Sequence, residues 1–419
     1  MDNTPWDARL SRASAYSLYI HVPFCARKCA YCDFASWATK REDPLMRTYA
    51  EALVKQVGEA EAIGLLDGVA TGYVGGGTPS LLGADALGVL VGASSSLGMR
   101  ELSCEANPDS LDDAVLDSLV SNGATRVSIG VQSLVDSELK TLGRLHDASL
   151  AMERVRSAVS SGLDVSCDLM CATPGQTDES WHDTLDAFLC LGAGHVSVYP
   201  LMIEEGTAFD RAYGDTDCSW NSDEVQAKRM EIAQVRLEGN EFNRYEVASY
   251  AKNGKRCEHN IAYWTGEPYL GLGTQASSML TIKGYLRLCH VCKSLPTPPR
   301  DTARVRLKVL NARDEIARDP SLASLRFDIE FLTEAEAAAE DLMLGARIVD
   351  GLEPDLVEHA REVIGKPRVD DCLDGLLHRG LLRVRHGRLA PTHDGWLLGN
   401  ELYGELWDLS PDEPIEARS

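Results

Sequence analysis

The chain has 419 residues, 44% of them hydrophobic and 25% charged, with a formal net charge of -23. That length allows a large core and two domains, and the composition is ordinary for a soluble globular protein. The excess of acid argues against nucleic acid as a partner, because binding a phosphate backbone needs Lys and Arg gathered on a surface.

The opening MDNTPWDARL has no basic stretch followed by an apolar core, so no signal peptide is expected. No apolar run approaches the length that spans a bilayer. Twelve cysteines without a leader point to a cytoplasm that keeps thiols free. Residues 1–15 are polar and read as a loosely ordered lead-in. From residue 16 short β-rich runs alternate with helical stretches. The strands are expected at 18–22, 71–74, 101–105, 126–129, 165–170 and 195–199. The helices between them are expected at 46–62, 85–93, 112–122, 149–161 and 178–191. Such alternation signals parallel strands joined by helical crossovers. Six units over 16–240 suggest an open (β/α)6 barrel, with its site at the carboxyl ends of the strands.

A polar loop and a helix at 223–239 follow, then a strand at 245–250. Residues 241–300 read as an extension of the barrel that ends in a connection at 284–300. That connection contains Cys289-x-x-Cys292, which has no second pair to complete a metal site. Beyond Pro299 the alternation is expected to stop. Helices are expected at 333–348, opened by Thr333 with Glu336 three residues on, and at 354–364 and 368–379. Two short strands follow around His386-Gly387. Residues 301–410 therefore resemble a winged helix, with a tail at 411–419. The basic residues there are too sparse for a DNA reader, so a cap over the barrel mouth is the favoured reading.

The chemistry concentrates in SLYIHVPFCARKCAYCDF, where Cys25, Cys29 and Cys32 stand as C-x3-C-x2-C. Three close thiols leave one over from any disulfide scheme. A [4Fe–4S] cluster is held by cysteine thiolates, and three ligands leave one iron open. Zinc would want a fourth ligand at a matching spacing, and none stands nearby; three unrelated thiols are the remaining alternative. Other positions have two readings each. Gly75-Gly76-Gly77 after a strand is a tight turn or a close backbone approach to a ligand. Glu105 at a strand end is a capping neighbour or a ligand group. Asp168 inside an apolar strand needs an ion-pair partner or a ligand. His259, among the aromatics of HNIAYW, is a hydrogen-bonded structural residue or a ligand. Cys167 and Cys171 read as core thiols.

The cysteine motif after an early strand resembles the signature of radical S-adenosylmethionine (SAM) enzymes. YIHVPFC and YCDF narrow the resemblance to the coproporphyrinogen-oxidase-like branch. The true oxidases of that branch carry a further Cys two residues after the third; here that position is Phe34, as in the HemW-type heme chaperones. The resemblance implies a [4Fe–4S] cluster on Cys25, Cys29 and Cys32. It also implies SAM contacts from Tyr19, Tyr31, Gly76, Gly77, Thr78, Glu105, Gln132, Arg144 and Asp168. Arg144 would face the SAM carboxylate. The HNxxYW segment implies heme, with His259 as its candidate ligand and Cys257 as a secondary one. A heme-accepting protein is the implied partner, and peripheral membrane contact fits such a role. Coproporphyrinogen oxidation is not expected, although the retained apparatus leaves SAM cleavage open. The alternatives are a radical SAM enzyme acting on a tetrapyrrole and a cluster carrier without chemistry. A carrier has no use for the SAM contacts. Two departures stand out. DLMCATPGQT has Cys171-Ala172 where relatives read Tyr-Gly, and GLGTQASS puts Ala276 or its neighbour where relatives have His.

Overall fold

The structure, a computed structural model, describes residues 15–214 and 218–410. The lead-in up to residue 14, the first residues of the loop before 223, and the tail from 411 lie outside it. Ala15, assigned to the lead-in, is fully buried. Six parallel strands appear where the sequence places them: β1 (Ser17–Val22), β2 (Thr71–Gly76), β3 (Glu101–Ala106), β4 (Arg126–Gln132), β5 (Asp164–Cys171) and β6 (His195–Pro200). The crossovers are α1 (Pro44–Ala62), α2 (Gly83–Ser95), α3 (Asp113–Ser121), α4 (Ala148–Ser160) and α5 (Asp178–Leu189). Their starts follow from capping: the Asp43, Asp112, Asp147 and Thr177 side chains each accept a first-turn backbone N–H, which satisfies an otherwise orphaned donor.

Each strand carries two unlike rows, as the twofold period of a strand requires. In β1, Leu18, Ile20 and Val22 join the main hydrophobic core with Tyr49, Leu53 and Val57 of α1. Ser17, Tyr19 and His21 face the barrel interior, where Ser17 bonds Thr71 and Tyr19 stacks on Tyr73. The interior rows of the other strands are also polar: Glu101 and Glu105, Arg126 and Ser128, Ser166 and Asp168, His195 and Ser197. A polar lumen within an apolar sleeve can hold a charged ligand.

The sheet extends on both sides. Beyond β6 come β7 (Asn243–Arg244) and β8 (Ser249–Ala251), both antiparallel. The strand expected at 245–250 is thus interrupted, because Glu246 turns its carboxylate onto the Ala248 N–H. The helix α6 (Asp223–Glu238) precedes that pair, and α7 (Glu258–Trp264) carries the HNxxYW segment. On the other side, β9 (Tyr269–Leu272) pairs parallel with β1, and β10 (Ser277–Thr281), β11 (Thr302–Val309) and β12 (Phe327–Thr333) follow antiparallel. This corrects two expectations. The stretch read as a connection begins with a helix, α8 (Ile282–Val291), capped by Thr281 and burying Tyr285 and Leu288. Strands also do not stop at Pro299: β11, with Val305, Leu307 and Val309 buried, and β12, with half-buried Phe327, Ile329 and Phe331 set off by exposed Asp328 and Glu330, are the outer part of the same twelve-stranded sheet.

A second, smaller core follows, built from α9 (Glu334–Gly345), α10 (Pro354–Ala360), α11 (Lys366–His378), α12 (Gly399–Trp407) and the hairpin β13 (Leu382–Arg385) and β14 (Arg388–Pro391). Thr333 and Glu336 form the expected capping box. The hairpin turns through His386 and Gly387, both at positive φ.

Candidate functional site

The cysteine loop leaves β1 at Pro23 and is held on three sides. A two-residue bridge pairs Phe24–Cys25 with Trp37–Ala38. The Ala30 N–H donates to Leu142 O at 3.1 Å, and the Phe209 N–H donates to Ala30 O at 2.9 Å. From below, the His21 ring binds Ala35 O through Nε2 at 2.8 Å and the Tyr19 hydroxyl through Nδ1 at 2.9 Å. A carbonyl only accepts, so Nε2 carries the proton and Nδ1 accepts from Tyr19. Phe34, in place of a fourth cysteine, is 65% exposed at the rim.

Cys25, Cys29 and Cys32 line one cavity of about 130 Å³ at the carboxyl ends of the strands. Tyr31, Gly76, Gly77, Thr78, Glu105, Gln132, Arg144 and Asp168 line it with them. The glycine turn approaches the loop so closely that a Cβ on Gly77 would lie 2.7 Å from Phe24 O. Gln132 reaches the cavity from a bulge at the end of β4, with φ of 67°; left-handed backbone in a non-glycine residue is strained and recurs at functional sites. Glu105 accepts from the Gly76 N–H and the Tyr73 hydroxyl, both at 2.9 Å. Burial nevertheless holds its carboxyl above the usual range. Asp168 meets only the Ser128 hydroxyl, at 3.3 Å, and burial and the nearby Glu105 push it up to about 7. Burial also raises the Cys25 and Cys32 thiols. The cavity thus holds two buried carboxylates, the Arg144 guanidinium and three thiols, with Arg27 and Lys28 at its exposed edge.

Two expected residues lie apart from that wall. Tyr19 is one layer below, between His21 and Tyr73. His259 is at the amino ends of the strands, 2% exposed. There Glu101 accepts the backbone N–H groups of Glu258 and His259, and so anchors the start of α7 across the barrel floor. Glu101 also forms a buried pair with Arg126. The His259 ring stacks on Tyr73 and meets Tyr263, and Nδ1 bonds the Thr71 hydroxyl at 3.1 Å. Nε2 has no partner, and burial pushes the imidazole down to about 3. Residues four apart share a helix face, so His259 and Tyr263 face inward while Asn260 and Trp264 face another way. The latter two line a second cavity of about 650 Å³, together with Tyr199, Met230 and Trp396. Tyr199, next to last in β6 and paired with Met170 of β5, and Pro200 after it bring this cavity to the carboxyl end of β6.

Cys167 and Cys171 are buried core thiols, the latter 3.8 Å from the Met230 sulfur. Cys292 is buried against Leu322 O. Sequence reasoning passed over Asn107 and Tyr73, which both touch the key carboxylate or arginine. The signal for Asn107 was its place in CEANP, two residues beyond Glu105. Among the described residues no three His, Cys, Asp or Glu side chains converge on a single ion. A cubane cluster needs no such convergence, because each thiolate binds a different iron.

The radical SAM superfamily model matches residues 19–188. The heme chaperone HemW of Mycobacterium tuberculosis is 34% identical over 281 residues, covering 66% of this chain and 72% of that protein. The chain belongs to the HemW family. The HemW of Lactococcus lactis is 29% identical over 392 residues, covering 92% of this chain and 96% of its own length. Among solved structures, the coproporphyrinogen III oxidase of Escherichia coli, described as a radical SAM enzyme, superposes with a TM-score of 0.74. It covers 95% of this chain and 92% of its own at 20% identity, so it speaks for the fold alone. Membership of the superfamily implies a [4Fe–4S] cluster and SAM. The residues present fit both: three cysteines in one cavity, a glycine turn with no room for a Cβ, and two buried carboxylates in the same lining. No helix among the described residues is long and apolar enough to cross a membrane.

Proposed function

We propose that this HemW-family protein binds heme, carries a [4Fe–4S] cluster on Cys25, Cys29 and Cys32 with SAM beside it, and passes the heme to an acceptor protein. When bound, the cluster supplies one electron and an open iron for the amino-acid end of SAM. The chain supplies the rest. The Gly76, Gly77 and Thr78 turn holds the SAM amino group, Arg144 faces the carboxylate, and Glu105, Gln132, Asp168 and Tyr31 line the remainder. Tyr19 supports this layer through His21. The twelve unpaired cysteines favour a reducing cytoplasm.

The observation that carries the heme reading is the 650 Å³ cavity that runs from the carboxyl end of β6 to Asn260 and Trp264 of α7. It falls within the size range of small-molecule sites, and the aromatic side chains of Tyr199, Trp264 and Trp396 can pack on a flat macrocycle. Asp223, Asp394 and Glu401, exposed residues of its lining, would repel the propionates and so limit the orientations of the macrocycle. His259 becomes a heme ligand in this reading only when α7 withdraws from the floor, because its free Nε2 is enclosed by the barrel.

The test is an anaerobic hemin titration of cluster-reconstituted protein, read at the Soret band. Saturation near one heme per chain is expected, with affinity at least tenfold weaker in Trp264→Ala. His259→Ala should weaken binding only if α7 opens. Non-saturating binding that ignores both substitutions would sink the heme reading. The retained pair Glu105 and Asp168 favours a second reading, SAM-dependent chemistry on a tetrapyrrole. Coproporphyrinogen turnover or substrate-dependent release of deoxyadenosine would select it.

A further inference from the structure

Two of the three cluster cysteines are joined by an unbroken run of hydrogen bonds through residues outside the cysteine loop. Arg144 Nη1 donates to Cys29 Sγ at 3.4 Å, and Arg144 Nη2 donates to Asn107 Oδ1 at 2.6 Å. Asn107 Nδ2 donates to Thr78 Oγ1 at 2.9 Å, and Thr78 Oγ1 donates to Cys25 Sγ at 3.6 Å. The direction of every bond is forced from one end. Guanidinium only donates, so it must meet the oxygen of the Asn107 amide. The amide nitrogen therefore faces Thr78 and occupies a lone pair of its oxygen. The single hydroxyl hydrogen of Thr78 is left to point at the sulfur.

The bracket is also held rigidly. Asn107 donates its own N–H to Ser80 Oγ at 3.2 Å, and its carbonyl accepts from the N–H groups of Ser110 and Leu111, both at 3.0 Å. Arg144 Nη2 is tied further to Gly130 O at 2.7 Å. A Cβ on Gly130 would lie 2.9 Å from Asn107 Oδ1 and 3.2 Å from Arg144 Nη2, so even that neighbour is shaped around the pair.

We propose that Asn107 is a positioning residue for the cluster: it aims the Thr78 hydroxyl at Cys25 and the Arg144 guanidinium at Cys29, and thereby raises the reduction potential of the cluster. Hydrogen bonds to cluster sulfurs set its potential. An added electron makes the sulfurs richer in negative charge, so donors aimed at them favour the reduced form. The inference rests on the cluster reading above, and the experiment separates the two.

Wild-type protein is reconstituted anaerobically and its iron and sulfide counted; a chain that takes up neither overturns the cluster reading and this inference with it. Loaded protein is then titrated electrochemically without SAM and followed by the EPR signal of the reduced cluster. In Asn107→Ala the reduced-to-oxidised ratio at a fixed potential should fall at least tenfold, a shift of about 59 mV for one electron. Thr78→Val should shift it in the same direction by less, and Thr78→Ser should restore it. Asn107→Ala added to Thr78→Val should shift it less than Asn107→Ala does alone. If Asn107→Ala takes up no iron, the Val and Ser variants at Thr78 decide. Fully loaded Asn107→Ala and Thr78→Val proteins with the wild-type potential and EPR spectrum would overturn the assignment.

Discussion

Asp168 shows how a single side chain in this cavity stores a cost that a ligand can release. Its carboxyl is pushed up to about 7, first by burial and then by Glu105. In the unfolded chain it titrates near 4. Between about pH 4 and pH 7 the folded state therefore holds a proton that the unfolded state has lost. Stability falls across that window as pH rises, and the loss is complete above it. A shift of this size corresponds to about 4 kcal/mol at most; the cavity is open to water, so roughly 2 kcal/mol is the better expectation. Asp168→Asn should therefore unfold later than wild type in urea at pH 8 and equally at pH 4. An equal gain at both pH values would show that the charge is not the cause. A cationic ligand reverses the sign, because it favours the ionised form. SAM affinity measured by calorimetry should rise from pH 6 to pH 8 in wild type and stay flat in Asp168→Asn.

At the scale of elements, the exit from β5 holds a non-glycine residue in left-handed backbone. Ala172 stands there at φ of 54°. Its N–H donates to the Gln176 side chain and its carbonyl accepts from Asn221, so the turn is fixed by bonds on both sides. A Cβ in left-handed backbone costs about 1–2 kcal/mol, whereas glycine is free of that strain. Glycine also loosens the unfolded chain, by about 0.4–1 kcal/mol. Ala172→Gly should therefore stabilise the protein by about 0.5–1 kcal/mol, seen as a higher urea midpoint at unchanged slope; a lower midpoint would mean the alanine methyl contributes packing. The six parallel strands and their crossovers were legible because each keeps its period, and every crossover but α2 starts at an Asp or Thr cap. α8 was not, since PTPP and Cys289-x-x-Cys292 resemble a linker and only Tyr285 and Leu288 of its apolar side chains are fully buried. β11 and β12 were hidden because the inner rows that mark them depend on β10, which no local pattern announces. The cluster wall was legible residue by residue, whereas the enclosure of His259 follows from Glu101, 158 positions away, and periodicity carries no such long-range information.

The whole molecule is joined by charges that the apolar pattern conceals. Arg304 of β11 and Asp341 of α9 form a two-pronged ion pair with side chains 4% and 2% exposed. It links the outer sheet to the second core, and it packs on Gly266, where a Cβ would lie 2.3 Å from Asp341 Oδ1. Gly266 follows the Thr265 cap of α7. The floor helix, the outer sheet and the second core therefore meet at this pair, and Asp341 lines a separate cavity that shares Glu246 and Trp264 with the one proposed for heme. Removing one member of a buried pair leaves the other charge poorly compensated, at a cost of about 3–5 kcal/mol, whereas replacing both by apolar residues of similar volume is often neutral. Asp341→Ala should accordingly lower the unfolding free energy by about 3 kcal/mol, and Arg304→Met with Asp341→Leu should recover most of it. If the pair only contributes stability, the double variant should bind hemin as wild type does. If it also fixes the approach of α7, the double variant should regain its urea midpoint yet bind hemin more weakly, because an apolar contact holds the distance between the elements without the paired bonds that orient them. A double variant as unstable as Asp341→Ala would refute the ion-pair account and assign the cost to lost packing around Gly266.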